Sequence, residues 1–479
     1  MADEWAYRTT IETASAIARG EVSSRELLDA ALDRVSRLDG PVNAVVALDA
    51  DRARAAAEEA DAAVARGDVL GPLHGVPITV KDSFQTEGLV TTSGAPELAD
   101  FVPKVDADPV ARYKQAGAIV FAKTNAPIWA GDAQSYNDVY GTTGNPYDIE
   151  RTPGGSSGGS GASLAAGYTP LEVGSDIGGS IRIPSHWSGV CGHKPSYGIV
   201  SARGQIPGMP GTLSQADIAV AGPMARDVED LELALGLLAG PDSWNDIAYS
   251  LDLPPARHAD IAEFRVAVWL DEESCPISTD YRDRLLGAAA ALEQAGATVD
   301  YEARPAFTFD KGVDTFMHLL SAAEAGTWTL AQLEEITAND EPPQGELGIW
   351  HAAMRHREWL GWNERRLQQR NKWRDFFIGF DVVLLPVTPV PAIPHDHSVP
   401  FTARTIEVDG AERPYADIFK WMGLTGVSWL PATVVPVGQV DGLPVGIQIA
   451  GPFLEDRTTL AVGRFLEDAL GGFRRPEGF

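Results

Sequence analysis

Between Thr152 and Gly167 the chain reads TPGGSSGGSGASLAAG, a run with too much conformational freedom to hold a shape by itself. Such runs with polar flanks behave as flexible linkers. This one leads instead into GSDIGGSIRIPSHWSGVCGHKPSYG at 174–198, an apolar, glycine-rich stretch that reads as buried. Glycines carried into a core serve tight turns and close backbone contacts. A phosphate cradle is a poor match, because it needs a lysine after the last glycine, or a third glycine where Leu164 stands. A nucleophile elbow matches Gly154-Gly155-Ser156-Ser157-Gly158 on paper, but that motif follows an apolar strand. Here the preceding segment is the polar, turn-rich TGNPYDIERTP.

The flanking chain alternates helices with short apolar strands. Ser23 and Glu26 have capping-box spacing, and Leu27, Leu28, Ala31, Leu32, Val35 and Leu38 recur at helical intervals before Gly40. A second helix is expected over 51–66. Buried strands are expected at HGVPITVKD (74–82), AIVFAKTN (118–125), RVAVWLD, DVVLLPVTP, PATVVPVG and LPVGIQIAG, with a last helix over 457–470. This order implies an α/β fold, a mixed β-sheet core covered by helices on both faces. One domain over 1–479 is expected. It has an N-terminal helical segment (1–66), a core holding the chemistry (70–200) and a helical insertion (305–375). That insertion carries Trp328, Trp350, Trp359, Trp362 and Trp373, and reads either as ordinary core or as a cap over a substrate pocket.

Charge narrows the partners. The net charge of −29 argues against a nucleic-acid surface, which needs clustered Lys and Arg. Two cysteines, Cys191 and Cys275, make no disulfide framework, and Cys191 within GVCG reads as an inert core thiol. With an acidic start lacking an apolar leader, and no run of about 20 apolar residues, a cytoplasmic protein without a membrane partner is expected. His395 and His397 in IPHDHS read as an exposed loop, so no metal site is expected.

Three distant residues combine into a reaction. A serine hydroxyl is a weak nucleophile until a neighbouring base takes its proton. Lys81 can be that base if burial keeps it neutral, and Asp82, next on the strand, would point to the opposite face. Ser156 lies in the glycine run, and Ser180 follows two glycines whose N–H groups can approach a developing oxyanion.

With GPLHGVPITVKD, QAGAIVFAKTN, YGTTGNPYD, GGSSGGSGASLAAG, GSDIGGSIRIPSHWSGVCGHKPSYG, DVVLLPVTPVPA and GLPVGIQIAGP in order, nearly the whole chain resembles the amidase signature family of Ser–Ser–Lys amide hydrolases. The resemblance implies that Ser180 is the acyl-accepting nucleophile, Ser156 the bridging serine held through a cis Gly155–Ser156 bond, and Lys81 the base. It places the oxyanion against the N–H groups of Ile177, Gly178, Gly179 and Ser180, and implies no metal or organic cofactor. Ser157 is expected to support Lys81, and Asp176 and Arg182 to pair across the nucleophile loop. Trp129, Tyr136 and Asn137, from the loop after KTN, are candidates for the acyl pocket, with Trp187, Phe419, Trp421 and Met422 as further walls. The expected substrate is a small apolar or aryl amide, with esters or carbamates in range. The alternative is a glutaminase-type A subunit of a multi-chain tRNA-dependent amidotransferase. A homodimer is left open.

Overall fold

The computed structural model describes residues 2–68, 71–338 and 351–479. Residues 339–350, Trp350 among them, lie outside the described residues. Two sheets organise the chain. The smaller contains β1 (Val45–Leu48), β2 (Pro77–Lys81) and β3 (Ile119–Thr124) in the order β1-β3-β2, with β2 and β3 parallel and β1 antiparallel to β3. The short pair β4 (Tyr136–Asn137) and β5 (Gly141–Thr142) follows.

The larger sheet takes β6 (Leu171–Asp176), β7 (Cys191–Lys194), β8 (Val220–Ala225), β9 (Arg265–Val268), β10 (Thr298–Asp300) and β11 (Val382–Leu385). After the hairpin of β12 (Thr405–Val408) and β13 (Ala411–Pro414), it is completed by β14 (Ala432–Val440) and β15 (Leu443–Ala450). Its order is β10-β9-β11-β15-β14-β7-β8-β6, with parallel pairs at β9–β10 and β9–β11 and antiparallel pairs elsewhere. Pro436, which cannot donate to a ladder, sits where the β14–β15 register shifts.

Alternation along β14 explains the helical layers. Val434 packs with Ile183, Trp187 and Met422 on one face. Its neighbour Val435 belongs to the main core and reaches Gly463 in the helix Asp456–Leu470 on the other. The mixed sheet flanked by helices is therefore the fold expected from the sequence. Among the described residues, no helix is long and apolar enough to cross a membrane.

Local details depart from the sequence pattern. The Ser23–Glu26 capping box forms, but the helix Ser24–Val42 runs past Gly40 and stops at Asn43, whose φ of 53° is left-handed. Asp39 fixes this exit by accepting the N–H groups of Ala44 and Val45 at 2.9 and 3.0 Å. The segment 305–375 splits its apolar residues two ways. Phe309, Val313 and Trp373 enter the main core, while Phe316 and Leu319 form a cluster joined by Ile177, Leu320, Trp359, Trp362 and Phe419.

That second cluster depends on Gly423. A Cβ there would stand 2.2 Å from the ring of the fully buried Phe316. Gly423→Ala should therefore cost about 1–3 kcal/mol by overpacking, read from urea unfolding. An unchanged midpoint would contradict this packing.

Candidate active site

Lys81 ends β2 fully buried, and β2 lies against β6. Its Nζ is 2.7 Å from Ser156 Oγ and 2.9 Å from Ser175 Oγ, so both of these contacts are hydroxyls. Asp82 turns away, as strand alternation requires, and accepts the Thr92 hydroxyl at 2.5 Å. Burial pulls the Lys81 pKa down to about 7, against the upward pull of Asp176 and Glu172. A group so placed exchanges its proton near neutrality.

The glycine–serine run turns into the helix Gly158–Ala165, and the Gly155–Ser156 peptide bond is cis. Gly155 lies flat on a neighbouring strand of chain. A Cβ there would be 2.6 Å from backbone atoms of Asp132, Ala133 and Gln134. At Gly159 a Cβ would collide with the Asn125 backbone at 2.3 Å. Ser157 makes no hydrogen bond to Lys81. Its hydroxyl donates to the Ser175 carbonyl at 3.4 Å, and its N–H donates to the Ser180 carbonyl at 3.2 Å. The direct polar partner missed from the sequence is Ser175. It adjoins Asp176 on β6, and strand alternation from Asp176 was the available signal.

Asp176 and Arg182 bracket the nucleophile loop as a buried fork, Arg182 Nη2 to Asp176 Oδ1 at 2.8 Å and Nε to Oδ2 at 2.9 Å. Burial alone would raise the Asp176 pKa, but the Arg182 guanidinium overrides it and holds the carboxyl below its ordinary value. Asp176 also accepts the N–H groups of Gly179 and Ile181 at 3.0 and 3.2 Å. The Gly179 N–H, one of the four expected oxyanion donors, is thereby committed to Asp176. Exposure rises along the three candidates, from 0% at Lys81 and 1% at Ser156 to 8% at Ser180. The Ser180 hydroxyl makes no hydrogen bond to the described residues, Ser156 included.

A family model described as Amidase matches residues 26–460. The chain belongs to the amidase signature family. The glutamyl-tRNA(Gln) amidotransferase A subunit of Acidothermus cellulolyticus is 34% identical, over 96% of this chain and 94% of that protein. Its counterpart in Geobacillus thermodenitrificans is 33% identical, over 96% and 97%. A solved structure of an amidase shares 30% identity with a TM-score of 0.80, over 97% of this chain and 100% of that one. This amidase-signature chain is accordingly an enzyme acting on carbon–nitrogen bonds.

Its other candidate residues divide by contact. Asn137 is a loop pin, its amide bonded to Asn125 and Ala126 at 2.7 and 2.8 Å and its oxygen accepting from Val139 and Tyr140. Tyr136 is tied by Arg404 at 2.8 Å and stacks on His397, while half-buried Trp129 packs with Leu98 and Ile206. Trp187 and Trp421 are core, their indole N–H groups spent on the Val390 and Cys275 carbonyls. Phe419 and Met422 do reach the loop: the open side of Gly178 faces Phe419, Phe316 and Leu320, and Gly179 faces Met422. His395 bonds the Ile149 carbonyl, and the described residues hold no cluster of three or more metal-ligating side chains. The Cys191 thiol is buried and its pKa pushed well up.

Arg182 also donates to Met422 O, Thr425 Oγ1 and Gln448 Oε1 at 3.0, 2.9 and 2.6 Å. Arg182→Met should lose about 3–5 kcal/mol of stability, since Asp176 is left charged and unpaired. Chemical denaturation measures this, and a loss below about 1 kcal/mol would mean that the fork is not what holds the loop.

Proposed function

We propose that the chain is a free-standing hydrolase of small apolar or aryl amides, acting through an acyl-enzyme on Ser180. The observation that carries the reading is Lys81, fully buried and facing two hydroxyls rather than a carboxylate. Neutral Lys81 takes the Ser156 proton across 2.7 Å. Ser156 takes the Ser180 proton, and Ser180 Oγ attacks the amide carbonyl carbon. The Ser156–Ser180 link closes as substrate binds, in the way catalytic hydrogen bonds tighten in a Michaelis complex. The new oxyanion lies against the N–H groups of Ile177, Gly178 and Ser180, a contribution of about 10²–10³ in turnover for each donor. Ser156 returns a proton to the leaving amine, the C–N bond breaks, and water resolves the ester. Esters and carbamates present the same carbonyl and fall within reach.

The wall facing Gly178, made of Phe419, Phe316 and Leu320, supports an apolar acyl or aryl group. Two buried guanidiniums support it too: Arg182 is spent on Asp176, and Arg404 on Asp132 and Tyr136. A second reading, the A subunit of a multi-chain amidotransferase, is favoured by the names of the relatives at 33% and 34% identity. Partner chains would then complete the enzyme, and the acidic surface makes direct docking onto RNA unfavourable.

Purified chain alone, assayed with p-nitroacetanilide and with glutamine, separates the two. Faster anilide turnover is expected. Glutamine turnover that appears only with partner chains would overturn the first reading. A fluorophosphonate should label Ser180, and Ser180→Ala should abolish both labelling and turnover. The base must be neutral to act, so activity should fall as pH drops through about 7, the value to which burial brings Lys81. A flat acid limb would remove Lys81 from the mechanism.

A further inference from the structure

We infer that Glu172 is the positioning residue that decides when Lys81 releases its proton, acting through its charge from the neighbouring strand. This rests on the reading of Lys81 as the base.

Strand register fixes where the Glu172 carboxyl lies. Lys81 pairs with Thr124 across β2 and β3, and Thr124 Oγ1 donates to Glu172 Oε1 at 3.0 Å. Thr79, two residues before Lys81 and so on the same face of β2, donates to the same oxygen at 2.6 Å. The other oxygen accepts the Val173 N–H at 3.2 Å. The carboxyl is thus pinned, fully buried, between the two residues that flank the base in the sheet. Its direct partners are neutral hydroxyls and an amide, which satisfy a carboxylate without fixing its charge as a guanidinium would.

Burial pushes Glu172 up to about 7, with Thr79, Thr124, Ser160 and Lys123 opposing, while Lys81 comes down to about 7. Two buried groups of opposite sign are therefore brought to the same range, and the Glu172 charge adds to that of Asp176 in holding the Lys81 proton. Ionised Glu172 retains the proton on Lys81, and neutral Glu172 lets it leave. Of the surrounding groups, burial brings Lys194 to about 7 and Lys123 to about 8, whereas Asp176 stays outside this range. Asp176 is held ionised by Arg182, and Lys194 lies beside that fork. Lys123 bonds Phe84 O and Thr86, and its charge is balanced first by Asp82 and then by Glu172 itself. Tyr113 reaches only the Glu172 backbone carbonyl, at 3.5 Å.

The test is the rate at which a fluorophosphonate labels Ser180, followed across the acid and neutral pH range. Glu172→Gln keeps an oxygen for both threonines and removes the charge. Its acid limb should move to lower pH by about one unit, the scale of a single nearby opposite charge. Thr79→Val, which removes a donor to the carboxylate, should move the limb the same way by a smaller step. A folded Glu172→Gln whose limb stays or moves upward overturns the inference. If Glu172→Gln does not fold, Thr79→Val decides by the same criterion. Lys81→Ala separates the two levels. A limb that survives Lys81→Ala sinks the lysine base itself, whereas one that depends on Lys81 and ignores Glu172→Gln sinks only the role of Glu172.

Discussion

Asp176 and Arg182 hold each other in a space where neither charge could stand alone, and the nucleophile loop is strung between them. Bringing two ions out of water costs several kcal/mol for each, and the return depends on filling every remaining hydrogen-bond site. Here they are filled by functional parts of the fold. Asp176 takes the Gly179 and Ile181 amides, while Arg182 reaches Met422, Thr425 and Gln448. One fork therefore joins the end of β6, the loop, the helix Lys420–Gly426 and the central strand β15. The apolar wall opposite Gly178 follows from this, because Phe419 and Met422 come with the same helix end that Arg182 grips.

The same burial that makes this fork permanent makes Lys81 labile. A guanidinium keeps its proton in any protein environment, whereas a buried ammonium shifts readily. Lys81, Lys123 and Lys194 are all buried, with pKa values lowered by burial to about 7, about 8 and about 7. What distinguishes Lys81 is its neighbours. Lys194 bonds a backbone carbonyl, and Lys123 a carbonyl and a hydroxyl of the loop that follows β2. Lys81 alone of these three faces Ser156, on the cis peptide of the glycine run. Position in the sheet, rather than acidity as such, turns one buried lysine into a candidate base.

Much of this was legible in the sequence because it is written in local patterns. The Ser23–Glu26 capping box, the apolar strands at 77–81 and 119–124, and the turn of Asp82 away from Lys81 follow from spacing of two and of 3.6. Contacts made at long range were not legible. Ser175 became a partner of Lys81 only when β6 was laid against β2. Asn137, a pocket candidate by its place after KTN, is spent on Asn125 and Ala126 because its loop folds back on itself. The Gly179 amide, one of four expected oxyanion donors, turns to Asp176, a preference that depends on where the carboxylate stands after folding. Trp187 and Trp421 carry no sign in their sequence surroundings that distinguishes a pocket wall from core.

The glycine run shows how far such a contact can reach. Gly155 has no side chain because the Asp132–Gln134 backbone lies where a Cβ would be. That backbone is itself held from the far end of the chain. Arg404 pairs with Asp132 at 2.6 Å, Tyr415 donates to Asp132 at 2.8 Å, and Gln134 exchanges hydrogen bonds with the Asp396 backbone at 2.7 and 3.0 Å. The Arg404–Asp132 pair is nearly dry, with side-chain exposures of 2% and 7%, so its geometry is stiff rather than solvent-averaged. The bed on which Ser156 rests is thus set by residues 262 to 283 positions away in sequence. The run is rich in glycine for a reason opposite to that of a linker: a wall fixed from outside leaves no room for anything larger.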